Sequence, residues 1–238
     1  MAKEEKIYTY QDFLDIIAML RSENGCPWDR EQTHESLKPC MTEEAAELLA
    51  AIRIYNKTGN VENMREELGD ILLQVVMHAQ IASEEGLFTM ADVVNEVSRK
   101  MVRRHPHVFG TATVDTSDQV LSNWEDIKKE EKKDKSWISS PLQEIPKELP
   151  ALARAPKVLK KIDKLYGQGN RYEQDLEILE GSLAYLKAHD PSDISNLDTF
   201  LTDMLLSLSD IARLYKIPLE QLLSDRIDDI IEEAENRN

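Results

Sequence analysis

Glycine is scarce in this sequence: eight residues in a chain of 238. Aromatic side chains are also few, at 6%. Both shortages count against a β-rich or dinucleotide-binding α/β protein, which draws on glycine for tight turns and close phosphate approach, and on aromatics for its strands. Only two cysteines occur, Cys26 and Cys40. Their spacing fits no zinc pattern and two thiols make no disulfide framework, so they read as reduced cysteines of a cytoplasmic protein. No apolar run reaches the roughly 20 residues of a membrane span. The charged start M-A-K-E-E-K leads into no such run either, so a soluble, unsecreted protein is expected. Cations are outnumbered, 29 Lys and Arg against 45 Asp and Glu, for a net charge of −16. That opposes binding to nucleic-acid polymers, whose phosphates need Lys and Arg. It does not oppose a small phosphorylated substrate, because a bound divalent ion inverts the local field. There is no G-x-x-x-x-G-K phosphate loop. No Cys–His or Ser–His pairing points to a covalent intermediate, and His34, His78, His105 and His107 read as structural or loop residues.

What is present is helix-forming sequence. Leu, Ile, Ala, Glu and Lys dominate, and the expected fold class is all-α, a helical bundle. Its centre is the stretch from Thr42 to Val76. T-E-E-A-A-E-L-L-A-A-I is followed by a turn at Asn56 to Asn60 and then by R-E-E-L-G-D-I-L-L-Q-V-V. Each arm carries two acids three residues apart, Glu44 and Glu47 on the first, Glu67 and Asp70 on the second. Residues i and i+3 share a helix face, so an antiparallel hairpin gathers all four. Leu48, Ala51, Ile52 and Tyr55 share the face of the first pair. Leu68, Ile71, Leu72, Val75 and Ala79 form the apolar stripe of the second helix, with Glu67 and Asp70 on its flank beside Gln74. A solvated acidic face describes Glu43, Glu62 and Glu66. It does not describe the other four, because carboxylates among apolar neighbours need a proton, a partner or a cation. Oxygen ligands without cysteine or paired histidine suit a hard ion, Mg²⁺ or Mn²⁺.

Before this hairpin, Thr9 to Asp12 has the form of a capping box ahead of a helix that stops at Asn24-Gly25. The segment C-P-W-D-R-E-Q-T-H-E-S-L, Cys26 to Leu37, cannot be one continuous helix because of Pro27. Its Trp28 reads equally as a core plug or as a wall of a nucleotide site. After the hairpin, Thr89 to Asp92 starts a helix that ends in the basic run K-M-V-R-R-H-P-H-V-F. Lys100 and Arg104 stand one turn apart on one face, an arrangement for phosphate that competes with simple compensation of the helix dipole. Trp124 and Lys128 repeat that spacing on a highly charged helix, where the Trp either docks on another element or meets a ligand. A Pro-containing stretch, residues 134–150, reads as an extended linker between a helical domain at 1–133 and a second at 151–238.

The second half looks like a diverged copy of the first. Leu68 to Ala79 aligns with Leu201 to Ala212, with Leu, Asp, Leu-Leu and Ala in register. Asp70 then matches Asp203, but Glu67 matches Phe200; Thr89 to Val97 matches Pro218 to Arg226 in apolar pattern, which sets Lys100 and Arg104 opposite Asp229 and Glu233. A copy without the full set of acids and with its basic pair reversed is expected to be a non-catalytic scaffold.

The runs C-P-W-D-R-E-Q-T-H-E-S-L, E-E-A-A-E, E-L-G-D and R-R-H-P-H-V-F, in this order, resemble the MazG nucleoside triphosphate pyrophosphohydrolases. The resemblance is close from about Phe13 to Lys132 and weaker to the C-terminus, where L-P-A-L-A-R-A-P-K resembles the start of the family's second domain. It implies a helical bundle, commonly a homodimer, that uses Mg²⁺ to split nucleoside triphosphates into monophosphate and pyrophosphate. It makes Glu44, Glu47, Glu67 and Asp70 the metal ligands and Glu43 a second acid that orients water. Lys100 and Arg104 match the family's phosphate contacts, and Trp124 and Lys128 its W-x-x-x-K element near the nucleotide. The expected activity is housekeeping hydrolysis with broad base tolerance. A narrower pyrophosphatase acting on dUTP, dCTP or phosphoribosyl-ATP is the near alternative. A non-catalytic nucleotide-sensing or partner-binding module and a metal-stabilised structural dimer are the others.

Overall fold

The structure is a computed structural model that describes residues 6–114, 116–132, 140–167, 171–188 and 195–237. The described residues form eleven α-helices and one 3₁₀ turn, with no strand among them. No helix among them is long and apolar enough to cross a membrane. The chain divides into two compact units, Met1–Glu130 and Glu131–Asn238.

The first unit opens with α1 (Tyr10–Arg21). Its capping box forms as the sequence predicts: the Thr9 hydroxyl accepts from the Asp12 backbone N–H, and the Asp12 carboxylate accepts from the Thr9 backbone N–H at 2.9 Å. Pro27 does not leave the next segment as loop. It opens a short helix, α2 (Pro27–Glu31), because a first-turn proline gives up an N–H that would be unbonded anyway. The hairpin follows as α3 (Lys38–Thr58) and α4 (Glu62–Glu84), with Gly59 at φ 74° ending α3 in the left-handed conformation that glycine adopts without strain. A second capping box, Thr89 with Asp92, starts α5 (Met90–Arg104). Pro106 starts α6 (Pro106–Phe109), and α7 (Ser117–Lys132) completes the unit.

Ile17, Leu37, Val76, Met77 and Ile81 form the buried core, with Phe13, Leu14, Leu20, Leu73 and Met90 packed against it. Arg21 locks the α2 segment onto that core. Its Nε and Nη2 donate to the Glu84 carboxylate at 2.9 and 2.8 Å, and its Nη1 donates to the carbonyls of Asp29 and Gln32. A second tie joins this segment to α4, where Nδ1 of His34 meets Nδ1 of His78 at 2.8 Å and the rings stack.

The stripe expected on α4 is shifted in its N-terminal half. Leu68 and Leu72 are exposed, whereas Glu67 and Gln74 are buried. On α3, Ala51 is fully buried but Ile52 and Tyr55 are exposed. The apolar periodicity therefore marks two faces here: one closes the hairpin around the acids and the other stays open.

The second unit contains the 3₁₀ turn Pro141–Glu144, α8 (Ala151–Tyr166), α9 (Tyr172–Ala188), α10 (Leu197–Leu214) and α11 (Leu219–Glu235). Residues 134–139 of the expected linker lie outside the described residues. From Ser140 onward the segment is not extended: Ile145 is buried and Glu144 pairs with Lys161 of α8. The α10 helix packs against both α8 and α9. Its buried positions Ser207, Ser209, Asp210 and Ala212 are those that the internal alignment matches to buried Gln74, Val76, Met77 and Ala79 of α4. Apolar core in one unit is polar in the other. Asp175 and Asp210, each 2% exposed, are hydrogen-bonded to one another, and Arg213 donates to Asp210. Burial, then the Asp210 charge, pushes the Asp175 carboxyl up.

Candidate active site

The α3–α4 hairpin brings Glu44, Glu67 and Asp70 together, with one carboxylate oxygen of each within 4.8 Å of the other two. The i, i+3 spacing on α4 aims Glu67 and Asp70 at one point, and the antiparallel return presents Glu44 from α3. Glu67 is buried at 9% exposure, and Glu44 and Asp70 are half-buried. Glu47, the fourth acid expected here, is exposed and outside this triad. Its charge still acts on both helices. The Glu67 carboxyl is pushed up first by desolvation and next by Glu47, with Asp70, Glu66 and Glu44 adding to it. Desolvation also leads for Glu44, followed by Asp70, Glu47 and Glu43. Glu43 is exposed, and it reaches the centre as charge on Glu44.

Acids pressed together so that their protons bind more tightly are a poor arrangement for an empty surface and a good one for a cation, whose charge repays the repulsion. Three convergent carboxylates without sulfur or imidazole fit a hard divalent ion. Among the described residues this is the one group of three or more acids, histidines or cysteines with such geometry.

Lys100 and Arg104 lie on the last turns of α5, both half-buried. Trp124 and Lys128 lie on α7, also half-buried. The question left open for Trp124 has a structural answer: it docks on the end of α5. The Arg104 guanidinium lies over its ring at 5.2 Å from the centroid, and the His105 ring meets it edge-on at 5.0 Å. His105 is itself held, with Nδ1 at 2.6 Å from the Met101 carbonyl. His105 is thus a structural residue, as its place at the end of the basic run suggests. Trp28 is 61% exposed and is not a core plug.

In the second unit the aligned positions do not form a carboxylate centre. Asp203 is exposed. Phe200, aligned with Glu67, stacks on Tyr185 with ring centroids 3.8 Å apart.

A helical hairpin that gathers acids from both arms, with cations on the next helix, defines an all-α protein with a carboxylate centre between helices. Residues 32–109 match a family model described as the MazG nucleotide pyrophosphohydrolase domain. That span contains every acid of the centre together with Lys100 and Arg104. The chain is 41% identical over 215 residues to the nucleoside triphosphate pyrophosphohydrolase/pyrophosphatase MazG of Thermotoga maritima, covering 90% of this chain and 79% of that protein. The chain belongs to the MazG family. It is also 46% identical over 227 residues to the Bacillus subtilis protein YabN, covering 93% of this chain and 45% of YabN. The Escherichia coli K12 nucleoside triphosphate pyrophosphohydrolase is 46% identical over 149 residues, 62% of this chain and 55% of that protein. The chain thus spans about half the length of these last two relatives.

Proposed function

We propose that this protein hydrolyses nucleoside triphosphates to nucleoside monophosphate and pyrophosphate, with Mg²⁺ as its cofactor and a broad range of bases. The observation that carries the reading is the convergence of Glu44, Glu67 and Asp70 within the segment that matches the family. These three, with Glu47 beside them, would hold the ion. When bound, such an ion neutralises phosphate charge and acidifies water. The chain's own residues do the rest. Lys100 and Arg104 hold the phosphate chain by charge-assisted hydrogen bonds. Glu43 or Glu47, both exposed and next to the centre, orients water and takes its proton as it attacks the α-phosphorus. The bond to the bridging oxygen breaks and pyrophosphate leaves. Lys128, one turn from Trp124, adds positive charge on the nucleotide side.

The second unit we read as a scaffold without its own chemistry. The exposed position of Asp203 and the aromatic pair Phe200–Tyr185 support this. The chain is further proposed to work as a homodimer in the cytoplasm. On the hairpin alone Leu49, Ile52, Ile54, Tyr55, Leu68 and Leu72 are exposed, an apolar face of the kind that calls for a partner.

The test is pyrophosphate release from a panel of ribo- and deoxynucleoside triphosphates, in Mg²⁺ and in EDTA, for wild type, Glu67→Ala and Asp203→Ala. Release that needs Mg²⁺, is lost in Glu67→Ala and persists in Asp203→Ala supports one centre in the first unit. No release from any nucleotide overturns the hydrolase reading.

A further inference from the structure

Gln74 stands on α4 one turn beyond Asp70, about 6 Å along the axis. Around the axis it lies about 20° from Glu67 and about 40° from Asp70, so the three share one face. Its side chain is 5% exposed, and its carbonyl oxygen Oε1 is buried with no hydrogen-bond partner. Buried carbonyl oxygens are almost always paired, and an unpaired one marks a donor supplied from elsewhere. The aligned residue of the second unit shows the contrast. Ser207 is buried at the same register, but its hydroxyl bonds to the Asp175 carboxyl inside its own unit.

We infer that Gln74 is a specificity residue whose Oε1 accepts a hydrogen bond from an N–H or O–H of the nucleoside part of the substrate. The inference rests on the hydrolase reading above. The phosphates have no donor to give at neutral pH. Water at the acid centre already has five carboxylates, Glu43, Glu44, Glu47, Glu67 and Asp70, as stronger acceptors. A neutral amide one turn farther along suits a neutral donor. The sugar begins at the ester oxygen of the α-phosphate, so the groups one turn beyond the acids belong to the nucleoside. A site built to pair a substrate N–H or O–H rejects an analogue lacking it, because its own buried oxygen is then left unpaired.

The experiment compares wild type, Gln74→Met and Gln74→Glu. Methionine keeps the unbranched shape without an oxygen, and glutamate keeps an acceptor. Each is assayed with ATP, its 2′-deoxy and 3′-deoxy analogues, purine riboside triphosphate, GTP and inosine triphosphate. The sugar arm and the base arm thus separate the two sources of the donor. Wild type is expected to discriminate against one donor-lacking analogue by roughly 10-fold in kcat/KM. That ratio falls to about 1 in Gln74→Met and is retained in Gln74→Glu. A structural role lowers every substrate equally and leaves the ratios alone; that result, or identical ratios in wild type and Gln74→Met, overturns the inference. Equilibrium binding of the same nucleotides in Ca²⁺ reads the ratios without turnover. Binding without hydrolysis therefore overturns the hydrolase reading while still deciding the role of Gln74. No nucleotide binding overturns both.

Discussion

The guanidinium of Arg104 lies over the indole of Trp124, 5.2 Å from the ring centroid, and so ties the basic end of α5 to α7. A guanidinium stacked on a ring face is held in place by cation–π attraction. If Arg104 holds the phosphate chain as proposed, Trp124 supports it by fixing the guanidinium. Trp124→Ala is expected to raise KM for ATP about 10-fold with a smaller change in kcat, and Trp124→Phe to restore most of the loss because the ring face remains. Steady-state kinetics of both variants checks this; an unchanged KM in Trp124→Ala sinks the coupling.

Glu67 should trade activity for stability. Desolvation and the charges of Glu47 and Asp70 press on its carboxylate. Glu67→Gln removes a negative charge from a crowded centre, so the metal-free protein should melt at a higher temperature than wild type. On the proposed reading the same change also removes a ligand for the ion and should lower kcat/KM at least about 100-fold. Thermal scans in EDTA alongside assays in Mg²⁺ read both. A lower melting temperature together with lost activity would mean that Glu67 holds the fold rather than the ion.

The pH dependence of stability should change with the ion. Glu44 and Glu67 have folded pKa values raised above the ordinary 4.5, by desolvation first and by neighbouring acids second. A raised carboxyl binds its proton more tightly when folded, so the metal-free protein gains stability as pH falls from neutral through those values toward 4.5. Mg²⁺ needs the deprotonated acids. Its stabilisation is therefore largest at about pH 8 and fades in acid. Melting curves with and without Mg²⁺ should converge as pH drops; curves a constant interval apart would place the ion elsewhere.

The hairpin and its acids were legible because i, i+3 spacing is a strong local constraint: Glu44, Glu67 and Asp70 could share a point only if α3 and α4 returned on each other. The caps at Thr9 and Thr89 were legible for the same reason, since a capping box is complete within four residues. Which apolar face of the hairpin is buried was not. Leu68 and Leu72 fit the periodicity as well as Val76 does, and only the packing of α1 onto the C-terminal half of α4 decides between them. Long-range pairs were hidden too. Nothing local joins Arg21 to Glu84, or His34 to His78, across 63 and 44 residues. The buried state of Gln74 was equally out of reach, because it depends on what surrounds α4.

Arg21 should be the most sensitive polar residue of the first unit. It is 8% exposed and satisfies Glu84 and two carbonyls at once. Arg21→Ala leaves those acceptors without their donor and should cost about 3 kcal/mol in urea unfolding. Arg21 also holds the Glu84 carboxyl below its ordinary 4.5. A depressed carboxyl stabilises above its unfolded value and loses that contribution as pH falls through the folded value. The gap between wild type and Arg21→Ala should therefore narrow in acid below about pH 4. A gap independent of pH would assign the cost to the carbonyls alone.

The second unit offers the sharpest separation of stability from activity. Asp203 keeps the aspartate of the centre but is exposed, while Phe200, in the aligned place of Glu67, stacks on Tyr185 at 3.8 Å. Tyr185 is anchored in turn by its hydroxyl, which donates to the Ser195 carbonyl at 2.6 Å. An aromatic pair filling that position holds helices together and offers nothing to a cation. Asp203→Ala should then leave kcat/KM within about 2-fold of wild type. Phe200→Ala should cost about 2 kcal/mol of stability through the lost ring contacts, again with little change in kcat/KM while the protein remains folded. Denaturant melts and nucleotide assays on the two variants give four numbers. Loss of turnover in a fully folded Asp203→Ala would show that the second unit contributes to the chemistry after all.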